Sequence, residues 1–157
     1  MLHIVCLGNL LQGDDGFGIH VCHRLRERRW PADVRVFDGG LAGLGALAFF
    51  EGCEEVIVVD ALAQRGRVGR VHTLRLDDVA EPREAFSVHQ IDVNHLFHML
   101  PIVFEGRAAP RVRVVGVEAE VGDGAFTMDL TPALVPAVDE AVGLIEEMVR
   151  ARGPTPS

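Results

Sequence analysis

The chain has 157 residues, 48% of them hydrophobic, and a formal net charge of −8. Its length predicts a single domain, residues 1–152, with a flexible tail at 153–157. The acidic balance argues against a nucleic-acid partner, and no apolar run approaches the length of a membrane span. Three scattered cysteines and the lack of a signal-peptide pattern favour a reducing cytoplasm. A monomer is the default expectation.

Two residue types are scarce, and their scarcity excludes several functions. All 15 basic residues are arginine, so the chain has no lysine for a phosphate-binding loop or a Schiff base. The two serines, Ser87 and Ser157, lie outside any G-x-S-x-G elbow, so a serine hydrolase is not expected.

Apolar, β-branched runs alternate with helical patterns along the chain. The alternation predicts a three-layer α/β/α fold with a twisted, mostly parallel sheet of about five strands. The predicted strands are residues 2–7, 34–37, 55–59, 68–76 and 111–117.

Four helices are predicted between and after these strands. The first spans 15–29 and the second 44–51. Phe17, Val21 and Leu25 recur every four residues and give the first helix one apolar face.

The other two helices are predicted from capping signals. Ser87, with Gln90 three residues later, forms a capping-box pattern that begins the third helix. Thr131 is predicted to cap the fourth helix, with Pro132 in its first turn and an end near residue 151.

Acidic residues follow the apolar strands consistently. Since parallel strands end at one edge of a sheet, these carboxylates are expected along the edge where open α/β sheets place their sites. The acids concerned are Asp14, Asp15, Asp38, Asp60, Glu118 and Glu120.

Structural roles compete with a metal site for these acids. Asp14 suits a cap of the first helix, and Asp38 before two glycines suits a turn. Asp60 follows four apolar residues, and burial of an unpaired carboxylate is costly. Two interpretations of these acids therefore stay open. One is structural, and the other is a divalent metal site of Asp15, Asp60 and His89, for which Zn, Ni or Mn are suitable metals.

The remaining histidines favour structural or surface roles. His95 and His98 have ligand-like spacing but lie among apolar residues of the third helix. His20 and His23 flank Cys22, although positions i and i+2 do not share a helix face. The last two, His3 and His72, lie in predicted strands.

Five motifs together resemble the hydrogenase maturation endopeptidases over about residues 2–150. They are "GNLLQGDDGFG", "DGGLAGL", "VIVVDAL", "SVHQ" and "VVGVEAE", in that order along the chain. The family usually has glycine two residues before Gly8, where this chain has Cys6, which is expected to pack as a small hydrophobe. An extra metal ligand is the alternative for that thiol.

The resemblance implies a function and a site. Such endopeptidases remove a C-terminal extension from the nickel–iron hydrogenase large-subunit precursor after nickel insertion. The implied metal-binding and catalytic residues are Asp15, Asp60 and His89, which engage nickel supplied by the precursor, with zinc as a substitute. The resemblance further implies that Asp38, Gly39 and Gly40 recognise substrate, and that residues 62–69 and 77–85 are candidates for selecting the hydrogenase.

Three other functions compete with this interpretation. A phosphoacceptor receiver domain also has paired acids and a later aspartate, but it requires a lysine. A dinucleotide-binding oxidoreductase would need G-x-G-x-x-G, and Asp14 and Asp15 would repel a pyrophosphate. The third is a relative that binds the precursor or a metal without cleaving.

Overall fold

The computed structural model describes residues 1–63, 66–75, 93–120 and 126–153. Five strands and three α-helices are assigned in these ranges, with two 3₁₀ helices at Gly13–Gly16 and Gly43–Phe50. In chain order the elements are β1 (Leu2–Leu7), α1 (Phe17–Arg26), β2 (Val34–Gly40), β3 (Glu55–Ala63), β4 (Val71–Arg75), α2 (Val93–Val103), β5 (Arg111–Ala119) and α3 (Val135–Ala151).

The five strands form one sheet in the order β2-β1-β3-β5-β4. All neighbours pair in parallel except β4, which is antiparallel to β5. The carboxyl ends of β1, β2, β3 and β5 therefore meet at one edge, as expected for crossover connections. The prediction of a mostly parallel five-stranded sheet is confirmed.

Two apolar layers cover the sheet and confirm the three-layer prediction. On one face, Ile4 and Cys6 of β1 pack with the α1 residues Phe17, Val21 and Leu25, and with α3. On the other face, Val5 and its neighbours pack against α2 and the second 3₁₀ helix. The alternation along β1 follows from the period of two in a strand, which sends successive side chains to opposite faces.

Arginine side chains neutralise acids at the amino edge of the sheet. Glu55 at the start of β3 accepts from Arg113 Nη2 at 2.6 Å and from Arg152 Nε at 3.1 Å. Arg152 also pairs with Asp33 at 3.2 Å, so the end of α3 is fastened to this edge. Nearby, Trp30 donates its indole N–H to Leu25 O at 2.8 Å and packs on the layer formed by α1 and α3.

Several predicted boundaries need correction. The first helix begins as a 3₁₀ turn at Gly13–Gly16 and is α-helical only over Phe17–Arg26. Gly16 packs closely on the loop before it, since an added Cβ would lie 2.9 Å from Leu10 Cα. The second helix is 3₁₀ rather than α, over Gly43–Phe50. The fourth strand starts at Val71, three residues later than predicted, since residues 68 and 69 form a turn.

The start of the last helix also differs from the prediction. α3 begins at Val135, with Leu134 rather than Thr131 at its cap and Pro136 in its first turn. Thr131 lies in the turn before the helix: its hydroxyl donates to Asp14, and its carbonyl accepts from the N–H groups of Leu134 and Val135. The predicted capping box at Ser87 and Gln90 lies outside the described residues, as does the loop 77–85. None of the helices in the described ranges has the length and apolarity of a membrane span.

Candidate functional site

Asp15 is positioned by the close approach of α1 to the sheet. It lies in the 3₁₀ helix just before α1 and is only 7% exposed. A Cβ on Gly18, in the first turn of α1, would lie 2.0 Å from Leu7 O and 2.7 Å from Val59 O. Only glycine lets this turn rest on the carboxyl ends of β1 and β3. The helix start therefore carries Asp15 to that edge.

The loop after β1 closes over the backbone of the same aspartate. Asn9 N–H donates to Asp15 O at 3.1 Å. Gly8, at a φ of +146°, brings the chain so near that a Cβ there would lie 2.4 Å from Asp15 O. The glycines of the first motif thus serve close packing around Asp15.

Asp60 reaches the same edge from the neighbouring strand. It lies on β3 directly after Val59, whose partner in β1 is Cys6, and its side chain is 1% exposed. Ala61 N–H donates to its Oδ1 at 2.8 Å. The 3₁₀ helix that carries Asp15 packs against β3. Two buried carboxylates, one in the 3₁₀ helix after β1 and one on β3, therefore lie on neighbouring elements at this edge. Buried acids of this kind can hold a cation or accept a proton.

The third residue of the predicted metal set, His89, lies outside the described residues. Within the described ranges, no cluster of three or more His, Cys, Asp or Glu side chains has the arrangement of a metal site. The structure thus describes two of the three predicted ligands, and metal binding by Asp15, Asp60 and His89 stays a prediction.

Asp38, Gly39 and Gly40 end β2 beside the same edge. Asp38 is exposed, and its Oδ1 accepts from Gly40 N–H at 3.0 Å, as in the turn that the sequence suggested. The carbonyl of Gly40 in turn accepts from Gly8 N–H at 3.1 Å. A Cβ on Gly39 would lie 2.8 Å from Leu7 Cδ2. The turn is therefore joined to the loop after β1, and a role in substrate recognition stays a prediction.

Glu118 is one of the strand-end acids, and it has a structural use. Its buried carboxylate accepts from the backbone N–H groups of Gly66 and Arg67 at 2.8 and 2.9 Å. Its other oxygen lies 2.6 Å from His72 Nε2. These contacts fasten the turn before β4 to the end of β5, which agrees with the structural role predicted for His72.

The sequence suggested that Asp14 caps the first helix, but the structure gives it another role. Neither the 3₁₀ helix nor α1 has a side-chain cap hydrogen bond. Instead, Thr131 donates its N–H to Asp14 Oδ1 at 2.7 Å and its hydroxyl to Oδ2 at 2.8 Å. The partner is 117 residues away in the chain, so local spacing held no signal for this bond.

A segment that the sequence interpretation did not single out lies beside this loop. Thr127 forms an isolated parallel bridge with Gln12. Gly13 N–H donates to Thr127 O at 2.7 Å, and Thr127 N–H donates to Leu11 O at 3.0 Å. The carbonyl of Met128 accepts from His20 Nε2 at 3.0 Å. Residues 126–131 therefore form one wall of the loop that carries Asp14 and Asp15.

Cys6 packs as a small hydrophobe, as predicted. It is fully buried on the α1 and α3 side of the sheet, together with Cys22. Burial raises the pKa of the Cys6 thiol well above its usual range, and a hydrogen bond to Cys22 contributes in the same direction. The hydrogen bond from Cys6 lowers the pKa of Cys22. His20 and His23 do not share the buried position of Cys22, so the His-x-Cys-His pattern forms no cluster.

Known proteins resemble this chain over nearly all of its length. Residues 19–148 match the family model described as hydrogenase maturation protease. The hydrogenase expression/formation protein HupD of Rhodobacter capsulatus is 33% identical over 154 residues, which cover 96% of this chain and 71% of HupD. A putative hydrogenase maturation protease of Methanocaldococcus jannaschii is 31% identical over 150 residues, covering 90% of this chain and 92% of that protein.

Solved structures show the same fold. The hydrogenase maturating endopeptidase HybD from Escherichia coli superposes with a TM-score of 0.79 at 24% identity, covering 97% of this chain and 93% of HybD. HybD from Thermococcus kodakarensis gives a TM-score of 0.73 at 21% identity, covering 94% and 98% of the two chains. Together with the family model, these similarities show that the chain is a peptidase that belongs to the hydrogenase maturation protease family.

Proposed function

We propose that this protein removes a C-terminal extension from a nickel–iron hydrogenase large-subunit precursor after nickel has been inserted. Family membership supports a peptidase of hydrogenase maturation. The observation that locates a candidate site is a pair of buried carboxylates on neighbouring elements. Asp15 lies in the 3₁₀ helix after β1, and Asp60 lies on β3 just past the residue that pairs with Cys6 of β1. This edge is where open α/β sheets place their chemistry.

In this proposal, nickel arrives as part of the substrate. Asp15, Asp60 and His89 engage the nickel already seated in the precursor, so cleavage reports that loading is complete. Two carboxylates and one imidazole are ligands that suit nickel, and they suit zinc as a substitute. Asp38, Gly39 and Gly40 contact the substrate chain from the end of β2.

Hydrolysis adds water across the peptide bond, and a base must accept the proton of that water. Asp15 is one candidate base and Asp38, which is exposed at the same edge, is another. Activation of the water by the metal is the alternative route. The proposal further places the protein in the cytoplasm, as a monomer.

The test is to incubate the purified protein with nickel-loaded and nickel-free large-subunit precursor and to measure the mass of each product. We expect loss of the C-terminal extension from the nickel-loaded precursor alone. An unchanged mass of the nickel-loaded precursor would contradict cleavage and would leave binding without cleavage as the function. Equal cleavage of both precursors would contradict recognition through nickel.

The residue assignment is tested by Asp60→Asn and His89→Ala. Asparagine keeps the oxygen that accepts the Ala61 N–H but loses the charge, so we expect Asp60→Asn to fold and to abolish processing. His89→Ala is expected to abolish processing as well. Glu147→Gln, which removes a charge from an exposed position on α3, is the matched control and should process at the wild-type rate. Full cleavage by either site variant would overturn the assignment.

A further inference from the structure

Large apolar side chains are concentrated in the loops at the carboxyl edge. In the described part of the chain, seven such side chains are exposed. Five of them follow the ends of β1 and β2 or lie in the segment that pairs with the first loop. We call these five the apolar rim; they are Leu11, Leu41, Leu44, Phe126 and Met128.

The rim is held on fixed backbone rather than on a free loop. Phe126 and Met128 flank Thr127, whose N–H and C=O are both bonded to the first loop. His20 holds the carbonyl of Met128, and Asp129 N–H donates to Thr127 Oγ1 at 3.1 Å. The two apolar side chains are 84% and 54% exposed in spite of this ordered backbone. A surface that is ordered before binding loses little entropy when a partner covers it.

Two rim residues lie in loops that border the candidate active site. Leu11 belongs to the same loop as Asp15, four residues further along the chain. Leu41 follows Gly40, whose carbonyl accepts from Gly8 N–H at 3.1 Å. A peptidase must bind a polypeptide at its reacting acids, so the surface that borders those acids has a polypeptide as its natural occupant. Exposed apolar surface around a site is typical of such an interface.

We propose that the apolar rim docks the large-subunit precursor by covering apolar side chains of that protein, with Phe126 and Met128 as the main anchors. This inference rests on the proposed function and names the surface with which the peptidase selects its substrate. Aromatic and methionine side chains are enriched at the core of protein interfaces, and a few residues there carry most of the binding free energy.

The test is the double variant Phe126→Ser with Met128→Ser, assayed for cleavage of nickel-loaded precursor over a range of concentrations. Because both side chains are mostly exposed and lie outside the reacting acids, we expect KM to rise by about tenfold or more while kcat stays within about twofold. Ile102→Ser is the matched control, because Ile102 is 64% exposed and lies on α2, outside the apolar rim. It should leave both constants within about twofold of wild type.

The outcomes separate this inference from the proposed function. If the double variant cleaves the precursor with the KM of the wild type, the proposed function is unaffected but docking through the apolar rim is overturned. A fall in kcat alone also overturns it, since docking would then not be the step affected. If the wild type binds the precursor without cleaving it, the same variants are compared by Kd, and an equal Kd overturns the rim. Absence of both binding and cleavage overturns both proposals. Circular dichroism of each variant checks that the fold is kept.

Discussion

Gly18 has no room for a side chain. A methyl group there would meet the carbonyls of Leu7 and Val59 at 2.0 and 2.7 Å, and both belong to the backbone of the central strands. Neither can move without shifting β1 or β3. We therefore expect Gly18→Ala to lower the free energy of unfolding by at least about 2 kcal/mol, as overpacking does in rigid surroundings. Denaturant unfolding measures this change.

The control is a glycine in a helix with open space around it. Gly143 lies within α3, and nothing lies within 4 Å of an added Cβ. Gly143→Ala should raise the free energy of unfolding by about 0.5–1 kcal/mol, because alanine loses less backbone entropy in a helix. Destabilisation by both substitutions to the same extent would contradict the close approach at Gly18.

Single residues show what the sequence can and cannot predict at this scale. The burial of Asp60 was predictable, since four apolar residues precede it and strand-end acids share an edge. The partner of Asp14 was not, because Thr131 lies 117 residues away and no local pattern links the two. Glu118 shows the same limit: its strand-end position is typical of a site, yet its oxygens bind a turn and His72.

At the scale of elements, two hydrogen bonds from Thr131 to Asp14 connect the turn before α3 to the first loop, and one of them can be removed by substitution. The Thr131 hydroxyl donates to Asp14 Oδ2 at 2.8 Å. We expect Thr131→Val, which keeps the shape and removes the donor, to lower the free energy of unfolding by about 1 kcal/mol, the typical contribution of one solvent-exposed hydrogen bond. Chemical denaturation followed by circular dichroism gives the value.

Thr73→Val is the matched control for this bond. Thr73 is exposed on β4, so its substitution should change stability by no more than about 0.5 kcal/mol. A double-mutant cycle with Asp14→Ala isolates the pair, and additive effects of the two substitutions would contradict a direct bond.

Helix boundaries were predicted less well than helix faces. The apolar faces of α1 and α3 follow from a spacing of three and four residues, and Phe17, Val21, Leu134 and Ile145 are all buried. The starts of both helices depend on contacts with other parts of the chain. At α1, a 3₁₀ turn packed on the first loop precedes the α-helix. At α3, Thr131 bonds Asp14 in the turn that precedes the helix.

At the scale of the whole molecule, the layers decide which thiols are accessible. Cys6 and Cys22 are fully buried between the sheet and its helices, whereas Cys53 is partly exposed. We expect a maleimide to modify Cys53 alone in the folded protein, and all three thiols in denaturant. Intact mass against time measures each addition. Rapid modification of Cys6 or Cys22 under native conditions would contradict the packing of that layer.

The same reaction has a predictable pH dependence. Burial raises the pKa of Cys53 from its ordinary value of 9.0. The thiolate is the reactive form, so at a given pH below that range the folded protein holds less thiolate at this position than the unfolded chain. The alkylation rate of Cys53 should therefore rise at a higher pH in the folded protein than in denaturant. A coincident rise in both states would contradict the shift.

The chain has one tryptophan and no tyrosine, which makes Trp30 an intrinsic optical probe. The indole lies where α1 ends, bonded to Leu25 O and packed on the layer formed with α3. Its fluorescence can be excited without a tyrosine background, and its position at the amino edge separates it from the acids at the other edge. Emission from this one ring therefore reports the opening of the layer formed by α1 and α3. A dye attached near the apolar rim would report docking at a different emission wavelength, so the two events could be followed separately.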